Sequence, residues 1–380
     1  MKLVLKLIAG IVIGIILGLV APEFIVRLLI TIKTVFGSFI GFIIPFIILF
    51  FIASGVANLG QKSGRLVGTT VGIAYVSTII AGLLAFFVAI TFVPMFSPEQ
   101  SSISEGSALT PFLKLEIAPV MGVVTALVAA FLFGIGMTKI KSKILKDTFD
   151  EGKRIIDLVI SYIIIPFLPI YIASIFAQLA AEGTVFDTLK VFGVVLLLAI
   201  ATHWIWLLIQ YLTAGSISGK NPFTLLKNML PAYFTAIGTM SSAATIPVTL
   251  RSVKNNKVKD EIADFGVPLC ATIHLSGSII TIVTTAVAVM LLTPELATPT
   301  FATMLPVIFM LGLIMIAAPG VPGGAIMAAL GILTTMLGFS EAAIGLMIAL
   351  YMAQDSFGTA TNVTGDGAIN VIIDKVNSKN

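Results

Sequence analysis

From Phe24 to Ala57 the chain carries only two charged side chains, Arg27 and Lys33. A run that long and that apolar restricts the fold more than any other feature of the sequence. Inside a bilayer each backbone N–H and C=O must be paired within the protein, which leaves helices or a closed barrel as spanning structures. A spanning helix needs about 20 apolar residues. By that measure Leu3–Val20, Phe24–Ala57, Leu66–Val93, Ala118–Met137, Ile155–Ala177 and Phe186–Leu212 read as six spans. The second, third and sixth are long enough to require tilt. Across the whole chain 58% of residues are hydrophobic and 11% charged, against about 25% charged in soluble domains. The class is therefore a polytopic membrane protein with no polar stretch able to form a soluble domain.

Charge then sets orientation. Lys62 and Arg65 follow the second span, Lys139, Lys141, Lys143, Lys146, Lys153 and Arg154 the fourth, and Lys220 and Lys227 the sixth. The stretch between Ser97 and Phe112 carries only Glu99 and Glu105. The positive-inside rule puts the basic loops and the N-terminus in the cytoplasm. Met1-Lys-Leu-Val-Leu-Lys6 and its apolar sequel read as an uncleaved first span rather than a signal peptide. The net charge of +4 is spread over topology loops and is no nucleic-acid signal. One cysteine, Cys270, excludes an internal disulfide or a Cys-pair metal site.

The last 160 or so residues follow another plan. Phe223–Leu250 is interrupted at Ser241-Ser-Ala-Ala-Thr-Ile-Pro247, and Phe301–Leu337 at Ala317-Ala-Pro-Gly-Val-Pro-Gly-Gly324. Each arm is too short to span, and non-helical backbone at membrane depth must be buried in protein or line a cavity. Two such breaks, each followed by a full helix (Ile262–Leu292 and Glu341–Ile373), predict two re-entrant hairpins in a repeated plan. Basic residues flank the first (Lys220, Arg251, Lys254, Lys257, Lys259) and are missing before the second at Pro294–Thr300. The hairpins thus enter from opposite sides, and the repeat is inverted.

Chemistry concentrates in Asp355-Ser-Phe-Gly-Thr-Ala-Thr-Asn-Val-Thr-Gly-Asp366. Asp355, Thr359, Asn362 and Asp366 are spaced four, three and four residues apart, which puts them on one face of a helix. Ionisable residues at membrane depth mark substrate or ion paths. Hairpin tips offer free N–H groups and helix N-termini to a carboxylate, with Ser241 and Ser242 adding hydroxyls. Asp355 suits an ammonium group, so the pair reads as an amino acid site. Asn362 and Asp366, with carbonyls of broken helices, suit sodium. No nucleotide loop, catalytic triad or metal-ligand cluster is visible, which argues against an enzyme and an organic cofactor. His203 reads as a residue that packs or hydrogen-bonds between helices.

Four segments carry a resemblance: Ser241-Ser-Ala-Ala-Thr-Ile-Pro-Val248, Ala271-Thr-Ile-His-Leu-Ser-Gly-Ser278, Pro319-Gly-Val-Pro-Gly-Gly324 and Thr361-Asn-Val-Thr-Gly-Asp366. They resemble, in order, the signature motifs of the dicarboxylate/amino acid:cation symporters, the glutamate transporter family. The resemblance implies an all-α fold of eight transmembrane helices plus two re-entrant hairpins, a homotrimer and an elevator mechanism. It assigns residues 1–65 and 118–182 to a scaffold, and 66–117 and 183–380 to a transport domain. It implies substrate contacts at Ser241, Ser242, Val321, Gly323, Asp355, Gly358, Thr359 and Asn362. Sodium would be held by Asp366 and Asn362 with carbonyls of Cys270 and His274, and at a second site around Thr272 and Met315 to Ala318.

Departures from the family pattern set the specificity. Acidic-substrate members carry an arginine three residues after the ammonium-binding aspartate, or just before the hairpin serines; here those positions are Gly358 and Met240. An uncompensated carboxylate in such a site is costly. Gln354-Asp-Ser-Phe-Gly-Thr-Ala and the Ser-Ser-Ala-Ala tip resemble the bacterial serine/threonine branch, which implies a small neutral amino acid. In the helix 7 motif, Ser276 and His274 replace an aspartate and an asparagine of the deepest sodium site. Ile79 stands beside Tyr75 and Thr78 where a serine is expected, so that third site is expected to be absent. His274 is expected to fill its place as a neutral ring bonded to Ser276 or Thr78. The resulting expectation is a sodium-coupled symporter of serine, threonine or alanine in the inner (plasma) membrane, both termini cytoplasmic. Proton-coupled amino acid or dicarboxylate symport and an anion-conducting channel stand as alternatives.

Overall fold

The computed structural model describes residues 2–61, 65–96, 109–293, 295–316, 318 and 322–378, and every regular element among them is helical. Helices α1 (Lys2–Val20) and α2 (Glu23–Gln61) meet at a turn around Pro22, and α3 (Arg65–Phe92) follows. Next come α4 (Val123–Ile140) and α5 (Lys143–Val159), the latter running through a π-helical turn into α6 (Ile165–Ala181). Then α7 (Val185–Ser218) leads to the paired helices α8 (Pro222–Thr239) and α9 (Ser242–Asn255). After α10 (Asp260–Ile273) and α11 (Ser276–Leu292) comes a second pair, α12 (Phe301–Met315) and α13 (Gly324–Leu337), and then α14 (Glu341–Ser378). Six helical stretches among the described residues are long and apolar enough to cross a membrane, and Leu5–Val20, Phe301–Met315 and Gly324–Leu337 are shorter apolar helices. The protein is a multi-pass membrane protein.

Two boundaries differ from the sequence reading. The fourth span begins at Val123, not Ala118, because residues 118–122 are extended and Gly122 is the N-cap. The fifth has no break at Ile155. It is the continuation of α5, an amphipathic helix that buries Phe149, Gly152 and Ile156 against α2. Its charged face is tied down by the Lys146–Asp150 ion pair (3.2 Å), and Asp150 accepts a hydrogen bond from Ser54 of α2. The full span expected after the first hairpin runs from Asp260 to Leu292 as α10 and α11, with the helix interrupted at His274 and Leu275.

Packing falls into two sets. In one, α1 lies along α6, and α2 packs on α4, α5 and α6. In the other, α14 runs among α7, α8, α9, α10 and α11, while α3 covers α11 and α12. The α1–α6 contact is backbone against backbone. A Cβ at Gly10, Gly14 or Gly18 would come 2.5, 2.3 or 2.2 Å from the carbonyl oxygens of Pro169, Ala173 and Ala177. Glycines every four residues let helices approach where lipid supplies no hydrophobic drive. Gly14→Val is therefore expected to lower the thermal unfolding midpoint in detergent, by overpacking worth about 1–3 kcal/mol. An unchanged midpoint would contradict the close contact.

Candidate functional site

The second set of helices places three helix starts around one small cavity. It is lined by Met240, Ser242, Ala271, Leu275, Ser278, Ala318, Ala325, Tyr351, Asp355, Thr359 and Asn362. Ser242 opens α9, Ser278 lies in the first turn of α11, and Ala325 in the first turn of α13. The backbone arranges this locally. Met240 ends α8 in the left-handed region (φ +52), which turns the chain straight into Ser241. The Ser241 side chain then accepts from Ala244 N–H (3.3 Å) as the N-cap of α9. Gly323 (φ +75) does the same turning work ahead of α13, a conformation that favours glycine. Helix N-termini carry partial positive charge. Among the described lining residues Asp355 is the single charged one.

Asp355 is buried on α14, and its Oδ2 accepts from Gly323 N–H (2.8 Å). Tyr351, one turn earlier, and Thr359, one turn later, flank it on the same face of α14. Tyr351 Oη donates to Ser278 Oγ (3.2 Å). Asn362 works as a cross-helix cap: its Oδ1 accepts from Gly277 N–H (2.7 Å) and Ser278 N–H (3.2 Å), and its Nδ2 donates to Ser278 Oγ (2.9 Å). A negative group facing three positive helix ends matches a zwitterion, ammonium to Asp355 and carboxylate to the helix starts.

One turn beyond Asn362 lies a second polar locus. Asp366 is buried; its Oδ1 accepts from His274 Nδ1 (2.9 Å), while its Oδ2 has no hydrogen-bond partner in the protein. The C-terminal end of α10, with Cys270 and His274, lies against this part of α14. There Cys270 C=O already accepts from His274 N–H (2.9 Å). An orphaned, buried carboxylate oxygen beside a helix C-terminus is the donor set of a dehydrated hard cation, so these residues fit sodium. Thr272 Oγ1 is turned back to Leu269 C=O (2.8 Å). Ile316, next to Met315, packs on the small cluster of Ala74, Leu269 and Ile273. No group of three or more His, Cys, Asp or Glu able to hold a metal occurs among the described residues.

Of the expected substrate residues, the structure brings Ser242, Asp355, Thr359 and Asn362 to the cavity wall. Ser241 acts as a helix cap and Gly323 reaches the cavity through its bond to Asp355. Val321 lies outside the described residues. Gly358 is not in the wall. A Cβ there would meet Thr281 Oγ1 at 3.3 Å, and a Cβ at Gly277 would strike Gly358 C=O at 2.2 Å. Gly358 is the contact point of α14 on α11. An arginine there starts against Thr281 Oγ1, which must give by a few tenths of an ångström, so Gly358→Arg is expected to lower the thermal unfolding midpoint. A stable variant with new affinity for acidic amino acids would overturn that placement.

The expected partners of His274 also change. Thr78 donates to Ala74 C=O of its own helix (2.9 Å), and Ser276 Oγ has no protein partner. The ring instead meets Ser77, Gln210 and Asp366. Tyr351, Ser278, Leu275, Ala271 and Ala325 are wall residues that sequence reasoning did not assign. Tyr351 was accessible to it, since a residue four before Asp355 shares its helix face.

The family described as the sodium:dicarboxylate symporter family matches the chain over residues 3–376. The chain is similar to excitatory amino acid transporter 1 of Ambystoma tigrinum, with 28% identity over 279 residues, covering 70% of this chain and 50% of the relative. The human protein of that name is 25% identical over the same length and coverage. Excitatory amino acid transporter 3 of Oryctolagus cuniculus is 27% identical over 267 residues, 68% of this chain and 49% of the relative. The chain thus spans about half the length of the curated relatives it matches.

Proposed function

Because this chain belongs to the sodium:dicarboxylate symporter family, a family of transporters and not of enzymes, we propose that it is a secondary active transporter that moves small neutral amino acids such as serine, threonine or alanine together with sodium. The relatives are named for excitatory amino acids. The proposal departs from that name on one observation: among the described residues lining the Asp355 cavity there is no cation. Gly358, where a guanidinium would stand by the family pattern, carries no side chain, and Met240 is apolar. A substrate side-chain carboxylate would be buried without a partner, at a cost of several kcal/mol. A hydroxyl or methyl side chain meets Met240, Leu275 and Ala325 beside the hydroxyls of Ser278 and Tyr351.

In this reading the ammonium binds Asp355 and the α-carboxylate takes the N-termini of α9 and α13, with Ser241 and Ser242. Thr359 and Asn362 hold the wall, and Val321 and Gly323 belong to the tip that covers it. Sodium binds Asp366 Oδ2 with the carbonyls of Asn362, Cys270 and His274, and a second ion lies near Thr272, Met315 and Ala318. The helices α1, α2, α4, α5 and α6 form the scaffold of a homotrimer, and the others form a transport domain that slides against it. The pairs α8–α9 and α12–α13 act as the two re-entrant hairpins, giving eight spanning helices with both termini in the cytoplasm of a plasma-membrane protein. Counterflow in liposomes tests the reading: labelled serine should exchange saturably, only with sodium present, and aspartate should not compete. Competition by aspartate at the concentration at which serine competes would refute it.

A further inference from the structure

His274 stands at the break between α10 and α11, fully buried, and its ring joins three other helices. Its Nδ1 lies 2.9 Å from Asp366 Oδ1 on α14, and its Nε2 lies 2.9 Å from Ser77 Oγ on α3. Gln210 on α7 donates from Nε2 to Ser77 Oγ (3.0 Å) and stands 3.3 Å from His274 Nε2. The group is seated on the α14 backbone at the residue before Asp366. A Cβ on Gly365 would come 2.7 Å from Gln210 Oε1 and 2.9 Å from His274 Cε1.

The donor and acceptor roles follow from elementary rules. An ionised carboxylate only accepts, so the hydrogen between His274 and Asp366 sits on Nδ1. In the neutral ring Nε2 then has a bare lone pair, which takes the Ser77 O–H or the Gln210 N–H. One tautomer and one ring orientation result. The ring in turn restrains Asp366: with Oδ1 tied to Nδ1–H, the carboxylate loses rotational freedom, and Oδ2 is left without a protein partner. Outer partners that orient a ligand in this way raise its affinity by removing its freedom before binding.

We infer that His274, held by Ser77 and Gln210, is a positioning residue for the co-transported cation, fixing Asp366 so that Oδ2 is presented to sodium. The inference rests on the reading of Asp366 as a sodium ligand. Neither Ser77 nor Gln210 touches the ion; both act through the ring.

The test is the sodium-dependent thermal stabilisation of the full-length purified protein, titrated with sodium chloride against choline chloride and without amino acid. Stabilisation follows ligand concentration over its dissociation constant, so it reports the cation site apart from transport. His274→Leu should raise the half-saturating sodium concentration by about tenfold, a step of ~1.4 kcal/mol. His274→Asn should restore most of the affinity, because its amide N–H replaces Nδ1–H. Ser77→Ala should weaken sodium by about threefold in the parent, and by nothing further in the His274→Asn background, where the ring that carried its effect is gone. A folded His274→Leu protein with parental sodium dependence overturns the inference, as does a His274→Asn protein as weak as His274→Leu. If His274→Leu does not fold, additive effects of Ser77→Ala and His274→Asn overturn it. Asp366→Asn separates the two levels. If it leaves sodium dependence intact, the cation site itself falls; if it removes the dependence while the His274 variants do not, only the positioning role falls.

Discussion

Asp355→Asn is expected to abolish amino acid binding while the protein folds and holds its hairpin. The amide is isosteric and its Oδ1 can still accept from Gly323 N–H, which holds the tip of the α12–α13 pair to α14 at 2.8 Å in the parent. What is lost is the one negative charge among the described residues of the cavity wall. A buried ion pair broken on one side costs about 3–5 kcal/mol, which lowers affinity by roughly two to three and a half powers of ten. Calorimetric titration with the best substrate measures it. Affinity within tenfold of the parent, in a protein of normal thermal stability, would show that Asp355 is a structural acceptor for Gly323 and not the ammonium site.

Asp366→Asn should remove the coupling between ion and substrate. The amide oxygen keeps the bond from His274 Nδ1–H, so the α10–α14 contact survives, but the negative charge of Asp366 is gone. In the parent, sodium should raise substrate affinity and the substrate should raise sodium affinity by the same factor, since coupling is reciprocal. In the variant both factors should fall to about one. Titrating substrate at zero and saturating sodium, and sodium at zero and saturating substrate, closes the cycle. A variant that retains the parental factor would place the coupled ion elsewhere.

Much of this arrangement can be read from sequence because the bilayer makes the rules strict. Span length, the cost of buried charge and the need to pair the backbone located the apolar helices and the two interruptions within a few residues. They could not locate where an amphipathic helix enters the membrane. The charged residues of Lys143–Val159 hide a helix continuous with α6, because its apolar stripe of Leu145, Phe149, Gly152 and Ile156 is too interrupted to count as a span. The spacing Gly10, Gly14, Gly18 was a readable sign of close helix packing that the search for spans passed over, because it counts only as apolar length. In the site, Asp355, Thr359, Asn362 and Asp366 fall on one face by periodicity alone. Gly358 falls about 60° off Asp355 at 100° per residue, which is the edge of that face. Lacking a side chain, it gave no clue that it belongs to the α11 contact. The partners of His274 were not readable at all, since Ser77 and Gln210 are brought to it from α3 and α7 only by the packed structure. Gln210 nonetheless left a trace, an amide in the apolar run of α7, which a bilayer tolerates only with partners.

The central claim is that one cavity with a single fixed charge selects neutral amino acids and requires sodium to do so. A thermal-shift screen of the twenty amino acids against the purified protein, in sodium and in choline, tests it most directly. The account predicts stabilisation by serine, threonine or alanine in sodium, little or none in choline, and none by aspartate or glutamate in either. Stabilisation by aspartate exceeding that by serine, or equal stabilisation with and without sodium, would contradict it.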